Sequence, residues 1–378
     1  MRIGFDALRA LRNRTGLGNY SRRVLRALHD ARRPLELYLF TSRPPFAEFS
    51  SVADELGARV IMPRRLGALA PSLWRTFRAG CCAASYGVDV YHGLSHEIPR
   101  DLPKTRVPSV VTFHDLIFEQ YPEYFPPIDR RSYRWRYRWS ALHTDAIVAV
   151  SRRTRDDLIE CYGVDPGRIN VIPPPVDPAF SVTTSDATRA QARQEYQFPA
   201  EYLLAVGTLE PRKNHTVLVA AMAQIARPER IPLVLVGSDG GGGASLRRTI
   251  EAAGLASEIL IRENVATADL PALMQGAAVL LYPSVIEGFG MPIAEALSAG
   301  VPVVAASGGH LDDAGGPGTA YVPPHDPAAW AAAITALLSD TNRRVLMRSE
   351  GREYARRFDG TVVAAQLLAM YDALAGAR

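Results

Sequence analysis

The sequence has little cysteine: three in 378 residues, Cys81, Cys82 and Cys161. An odd count makes a poor disulfide framework and no pair has metal-ligand spacing, so a reducing cytosol is the expected setting. Nor is there an uninterrupted apolar run near the roughly 18–20 residues needed to cross a bilayer. Met1-Arg2-Ile3-Gly4-Phe5-Asp6 runs straight into a strand pattern and leaves no room for a signal peptide. No Asp-x-Asp triplet occurs, no short repeat is visible, and low complexity is confined to the glycines at 240–243. Together these absences exclude a disulfide scaffold and a helical membrane protein. They point to a soluble cytoplasmic chain that at most lies against the inner face of a membrane.

What is present is the balance of a folded protein, with 47% apolar and 22% charged residues. The length suits two domains rather than one core. A net charge of +4 conceals an asymmetry. Residues 1–180 carry 27 Lys or Arg against 19 Asp or Glu, a net of +8, whereas the remainder has 16 against 20, a net of −4. A basic half beside a slightly acidic one implies a face that meets an anionic partner. Nucleic acid, an anionic membrane and a phosphorylated substrate all stay open at this point.

Short apolar runs alternate with amphipathic stretches almost throughout. Strands are expected at 2–6, 35–41, 58–62, 88–92, 108–113, 145–150 and 169–172, with helices at 19–31, 71–86, 127–143 and 152–162. Pro173-Pro174-Pro175-Val176-Asp177-Pro178 interrupts the alternation, and the polar stretch 181–194 reads as a linker. Strands resume at 202–207, 232–237, 258–261, 278–283 and 301–305, a helix following each of the first four. The chain ends in helices at 327–338, 340–357 and 361–375. Alternation of this kind implies parallel sheets covered on both faces. Two such domains are expected, 1–178 and 179–359.

The densest chemistry lies in Tyr282-Pro283-Ser284-Val285-Ile286-Glu287-Gly288-Phe289-Gly290-Met291-Pro292-Ile293-Ala294-Glu295-Ala296-Leu297. A buried strand feeds a glycine-bearing loop, and Pro292 suits the first position of a helix. Exposed amides and the positive dipole of that helix end favour a phosphate. Glu295 is expected in its first turn and Glu287 in the loop before it. Two solvated glutamates are the plain alternative. A glycosidase is the sharper one, but eight helical positions span about 12 Å, beyond the roughly 5–9.5 Å that hydrolytic carboxylate pairs use.

Glu287 and Glu295 form E-x7-E within E-G-F-G-M-P-I-A-E-A-L-S-A-G-V-P-V-V, and this string resembles the signature of retaining glycosyltransferase family 4. The resemblance implies a GT-B fold: two Rossmann-like α/β domains facing across a cleft, with the C-terminal helix 360–378 crossing back to the first. It spans nearly the whole chain and is most specific in the second domain. Gly207-Thr208-Leu209-Glu210-Pro211-Arg212-Lys213-Asn214 is similar to the segment whose Arg and Lys hold the donor diphosphate in that family. Two fixed cations are suited to the charge that builds on a departing diphosphate. Gly16-Leu17-Gly18-Asn19-Tyr20 is similar to its glycine-rich loop against the donor phosphates, although it is not the dinucleotide fingerprint. Phe113-His114-Asp115-Leu116 matches the family's strand-end histidine beside the donor sugar, at the sheet edge where ligands bind.

The resemblance therefore implies a metal-free, retaining hexosyltransferase without a cofactor. Its catalytic residues would be His114, Arg212, Lys213 and Glu287. Gly16, Gly18, Gly207, Gly288, Phe289, Gly290, Met291 and Glu295 would bind a nucleotide-diphosphate sugar. His92, His96 and Asp115 are expected on the acceptor side, and Glu97, next to His96, could touch the acceptor as well. The string V-V-T-F-H-D-L with Tyr121-Pro122-Glu123-Tyr124-Phe125 is similar to bacterial mannosyl- and rhamnosyltransferases of surface polysaccharide assembly. That similarity favours GDP-mannose, then another GDP- or UDP-hexose, with a glycan or lipid-linked oligosaccharide acceptor. A sugar-phosphate synthase, a nucleotide-sugar epimerase or a catalytically idle carbohydrate-binding subunit are the alternatives.

The chain departs from the family at Pro175, where a glycine often precedes the Val-Asp of the linker. One segment stands outside this scheme: Arg130-Arg131-Ser132-Tyr133-Arg134-Trp135-Arg136-Tyr137-Arg138-Trp139. It reads either as a core helix with snorkelling arginines or as a helix resting on anionic lipid. No nucleic-acid-binding module surrounds it.

Overall fold

The computed structural model describes residues 1–63 and 70–376. They form two compact units, Met1–Pro175 joined by Phe358–Arg378, and Val176–Arg357. The expected boundaries at 178 and 359 thus shift back by a few residues.

The first unit holds a seven-stranded parallel sheet: β1 (Arg2–Asp6), β2 (Glu36–Phe40), β3 (Arg59–Ile61), β4 (Val90–Gly93), β5 (Ser109–Phe113), β6 (Ala146–Ala149) and β7 (Ile169–Val171). Their order is β3-β2-β1-β4-β5-β6-β7. The second unit holds six: β8 (Leu203–Val206), β9 (Leu233–Val236), β10 (Ile259–Arg262), β11 (Val279–Tyr282), β12 (Val303–Ala306) and β13 (Ala320–Val322), in the order β10-β9-β8-β11-β12-β13. Every pairing between these strands is parallel. Strands such as β9 and β11 are apolar at every position or nearly so, and they and β5 are buried along their whole length, as sheets covered on both faces require.

Several elements differ from expectation for identifiable reasons. The stretch 71–86 is two helices, Pro71–Phe77 and Ala79–Ser85, broken at Arg78 where φ is −138°. The polar stretch after the prolines folds as the helix Asp186–Glu195, because Ser185 caps the amide of Thr188 at 3.1 Å. Strand β13, only three residues long, carried too little pattern to be anticipated. The first long helix begins at Gly16 rather than 19 and runs to Asp30.

The final helix, Gly360–Gly376, belongs to the first unit and packs along Gly16–Asp30. Arg33 forks onto the carboxylate of Asp372 at 2.6 and 2.7 Å. The Tyr371 hydroxyl meets His92 Nδ1 at 2.6 Å. On the helix Pro127–His143, Tyr133, Tyr137 and Trp139 pack against the buried core, while Arg134 pairs with Glu119 and Arg136 with Glu97. The core face of this helix is thus aromatic, and Trp135 remains 59% exposed. Among the described residues no helix is long and apolar enough to cross a membrane.

Candidate active site

In the second unit, two strand ends bring the expected residues together. After β8, the amide of Gly207 bonds to the carbonyl of Val236 at 2.9 Å. The chain then turns through Pro211–Lys213 and Asn214 into the helix His215–Gln224. Asn214 adopts φ 54°, a left-handed conformation that asparagine tolerates better than most residues. Its side-chain amide donates to the carbonyls of Pro283 and Pro324, at 3.3 and 2.6 Å. The amide of Val285 reaches the carbonyl of Arg212 at 2.9 Å. These bonds stitch the turn to the loop that follows β11, so residues 74 positions apart meet.

They meet as a buried ionic cluster. Lys213 Nζ donates to Glu287 Oε1 at 2.5 Å and to the Tyr282 hydroxyl at 3.1 Å. Arg212 Nη1 lies 3.1 Å from Glu287 Oε2, and its Nη2 lies 2.7 Å from Glu210 Oε1. The Ser284 hydroxyl donates to Glu287 Oε1 at 2.5 Å. Burial alone would raise the Glu287 pKa, but Lys213, Arg212 and these hydrogen bonds outweigh it and hold the carboxyl at about 2. Burial would likewise lower the Arg212 pKa, yet Glu287 and Glu210 keep it above its ordinary value. Two cations thus face two carboxylates.

Beside the cluster, Gly290 opens the helix Met291–Ala299 at φ 97°. A Cβ there would stand 2.9 Å from Leu311 Cδ2, so both conformation and space require glycine. Pro292 takes the second helical position rather than the first, and Glu295 the fifth. Glu295 therefore lies in the second turn, not the first, and is only 6% exposed. Phe289 is buried within the unit, while Gly288 and Met291 are half-exposed.

The first unit carries a histidine group. His114 follows β5, and its Nε2 donates to the carbonyl of Leu94 at 2.9 Å. Its backbone amide donates to His96 Nε2 at 3.1 Å. That bond leaves the His96 proton on Nδ1, which has no hydrogen-bond partner among the described residues. His96 stacks on Tyr137 with ring centres 4.5 Å apart and is held at φ 61°. Burial depresses the pKa of His92, His96 and His114 to about 3 each, so all three are neutral imidazoles. Asp115 accepts from the amide of Ile117 at 3.2 Å.

One expectation for this unit is corrected. His92 does not offer itself to an acceptor: it is fully buried, bonded through Nδ1 to Tyr371 and through Nε2 to Thr112 at 2.8 Å. Its place inside β4, beneath the last helix, is the reason. Gly16 and Gly18 lie in the first turn of the helix Gly16–Asp30 rather than in a loop ahead of it. A Cβ on Gly18 would collide with the Asn13 carbonyl at 1.9 Å. That glycine is needed for chain packing, with Asn13 Oδ1 accepting from the amides of Thr15 and Gly18 at 2.8 and 3.2 Å.

Further residues gather, and of these the sequence singles out only Glu97, as an acceptor contact. Glu210, Tyr282 and Ser284 complete the ionic cluster of the second unit. In the first, Arg75 Nε meets Asp6 Oδ2 at 2.7 Å and its Nη1 lies 3.6 Å from Glu97 Oε2. Arg136 Nη1 meets Glu97 Oε1 at 2.9 Å. Positions 6, 75, 97 and 136 are too scattered for any spacing argument to connect. Among the described residues no group of three His, Cys, Asp or Glu side chains is placed to hold a metal ion.

Comparison with known proteins agrees with this architecture. Residues 14–180 match the family model "Glycosyltransferase Family 4", and residues 188–354 match "Glycosyl transferases group 1". The chain is 29% identical over 377 residues to O-antigen chain mannosyltransferase B of Escherichia coli, covering 95% of this chain and 96% of that protein. It is 36% identical over 241 residues to a D-inositol 3-phosphate glycosyltransferase of Xylanimonas cellulosilytica, covering 60% of this chain and 57% of that protein. Among solved structures, Anabaena HepE in complex with UDP superposes with a TM-score of 0.75 at 21% identity, covering 99% of this chain and 100% of that one. With two Rossmann-like units, a matching family model on each, and a glycosyltransferase similar over nearly its full length, the chain belongs to glycosyltransferase family 4 and has the GT-B fold.

Proposed function

We propose that this glycosyltransferase is a retaining, metal-independent hexosyltransferase that uses a nucleotide-diphosphate sugar, GDP-mannose in the first instance. Its acceptor is a glycan or lipid-linked oligosaccharide of surface polysaccharide assembly. The observation that carries the reading is the Arg212–Lys213–Glu287 cluster beside the Gly290 helix end. Guanidinium, ammonium and helix amides can together neutralise a departing diphosphate, a task that a divalent ion performs elsewhere. Glu295 accepts from the ribose hydroxyls, and Glu287 with the amides of 288–291 contacts the transferred sugar. His114, a neutral imidazole, serves as a hydrogen-bonding group rather than a cation. With no carboxylate free to act as nucleophile in this scheme, attack comes from the face that the leaving phosphate vacates, through an oxocarbenium-like state. The likeness to an O-antigen mannosyltransferase supports mannose as the sugar and a polysaccharide as the product. Peripheral contact with an anionic membrane belongs to the same reading, supported by exposed Ile128 and Trp135 and the exposed Arg131 and Arg138 on one helix.

A thermal-shift panel of nucleotide sugars followed by turnover assays tests this. GDP-mannose is expected to raise the melting temperature most, and EDTA to leave turnover unchanged. Strong EDTA inhibition rescued by magnesium would overturn the metal-free mechanism. A crystal soaked with GDP in which the nucleotide lies away from Lys213 and Gly290 would overturn the site.

A further inference from the structure

The first unit contains a second polar constellation, at the place where open α/β sheets bind ligands. Successive strands run off one side of β1 as β2 and β3, and off the other side as β4 to β7. The switch point therefore falls between the carboxyl ends of β1 and β4. Asp6 is the last residue of β1, and Glu97 lies in the loop after β4. Around them is a small pocket with room for about 20 Å³, whose lining includes Asp6, Arg75, Glu97, Arg100, Arg136 and Trp139. That space admits a single hydroxyl or water-sized group at its floor.

The donors and acceptors of this pocket are unequally engaged. Arg75 bridges Asp6 and Glu97, and Arg136 holds the other oxygen of Glu97. Arg100 differs. Its guanidinium carbon lies over the Trp135 ring, 3.6 Å from the ring centre, and 4.8 Å from that of Trp139. Its Nη2 has no hydrogen-bond partner among the described residues. This contact restrains the group and leaves its N–H groups as the part that can bind oxygen. The ionic network itself comprises two guanidiniums, Arg75 and Arg136, and two carboxylates, Asp6 and Glu97, and Arg100 stands beside it.

We propose that this pocket forms the floor of an acceptor subsite for a vicinal diol of a neutral pyranose, with one hydroxyl entering it and its neighbour at the rim. A diol both accepts and donates. One hydroxyl oxygen accepts from Arg100 while its neighbour donates to Glu97, and the net charge of the pocket is undisturbed. A phosphate would instead bring one or two further negative charges against Asp6 and Glu97. The inference rests on the transferase reading above and specifies its acceptor end: an uncharged sugar residue rather than a phosphorylated polyol.

In a Trp74→Phe background Trp135 and Trp139 provide a local signal, since Trp74 is the third tryptophan of this unit and Trp330 is fully buried in the other. The full-length protein, with GDP present, is titrated with methyl α-mannopyranoside, methyl α-glucopyranoside, methyl phosphate and inorganic phosphate while tryptophan emission is followed. At least one glycoside is expected to give a saturable change, and the two phosphates none. Glu97→Gln and Arg100→Gln should each weaken glycoside binding at least tenfold while GDP affinity by calorimetry stays at the wild-type value. Arg100 makes no ion pair among the described residues, so its variant tests the pocket even where Glu97→Gln folds poorly. A saturable response to the phosphates that Arg100→Gln abolishes would reveal an anion site and overturn the proposal. So would the absence of any glycoside response, or one unchanged in both variants. Failure of wild-type protein to bind GDP would instead strike the donor reading and leave the pocket's own result standing.

Discussion

Replacing Glu287 by Gln should have two effects of opposite sign. The carboxyl is held at about 2 against an ordinary value of 4.5, which corresponds to roughly 3 kcal/mol favouring its ionised form in the fold. A depressed carboxylate stabilises the folded state above about pH 4.5, and the contribution is lost as pH falls toward 2. Glutamine removes the charge and leaves Lys213 and Arg212 buried beside only Glu210. The variant should therefore lose roughly 3 kcal/mol at pH 7, about 6–12 °C in the melting temperature of a unit of this size. The gap should narrow steadily below pH 4.5.

Nucleotide binding should move the other way. In this cluster Glu287 competes with any incoming diphosphate for Lys213 at 2.5 Å and Arg212 at 3.1 Å. Half of that interaction released to the ligand is about 1.4 kcal/mol, or tenfold in GDP affinity. Sugar transfer should fall sharply in the same protein, because the sugar loses a hydrogen-bond partner. Scanning calorimetry across pH and titration calorimetry with GDP read both effects. A Gln variant that melts with the wild type at pH 7, or binds GDP more weakly, would refute the reasoning.

Three further outcomes follow from the geometry. Gly290→Ala forces a Cβ into a left-handed residue 2.9 Å from Leu311, and should cost about 1–3 kcal/mol in thermal unfolding and weaken GDP binding. The buried neutral histidines at 92, 96 and 114 stay unprotonated down to about pH 3 while their unfolded counterparts protonate near 6.5. Stability should thus fall with pH between those values, and His96→Gln should remove one proton's worth of the slope in acid titrations of unfolding. Tyr371→Phe leaves His92 Nδ1 buried without its 2.6 Å partner. It should cost about 1–3 kcal/mol and speed hydrogen exchange in Gly360–Gly376.

The sequence alone determined the α/β alternation, because a buried parallel strand must be a short apolar run and its crossover an amphipathic helix. It also determined the E-x7-E loop and the Arg212–Lys213 turn, since their residues are contiguous and glycine at 290 has one conformational use. Pattern could not tell that Gly18 packs against Asn13 inside a helix, or that His92 is consumed by a tyrosine 279 positions away. Such facts depend on which element lies beneath which, and hydrophobic periodicity is silent about partners. Tertiary structure decided that Glu287 neutralises the two cations, and it gathered Asp6, Arg75, Glu97, Arg100 and Arg136 at one switch point. Charges so far apart in the chain acquire a meaning only when a sheet edge makes them neighbours in a low-dielectric space.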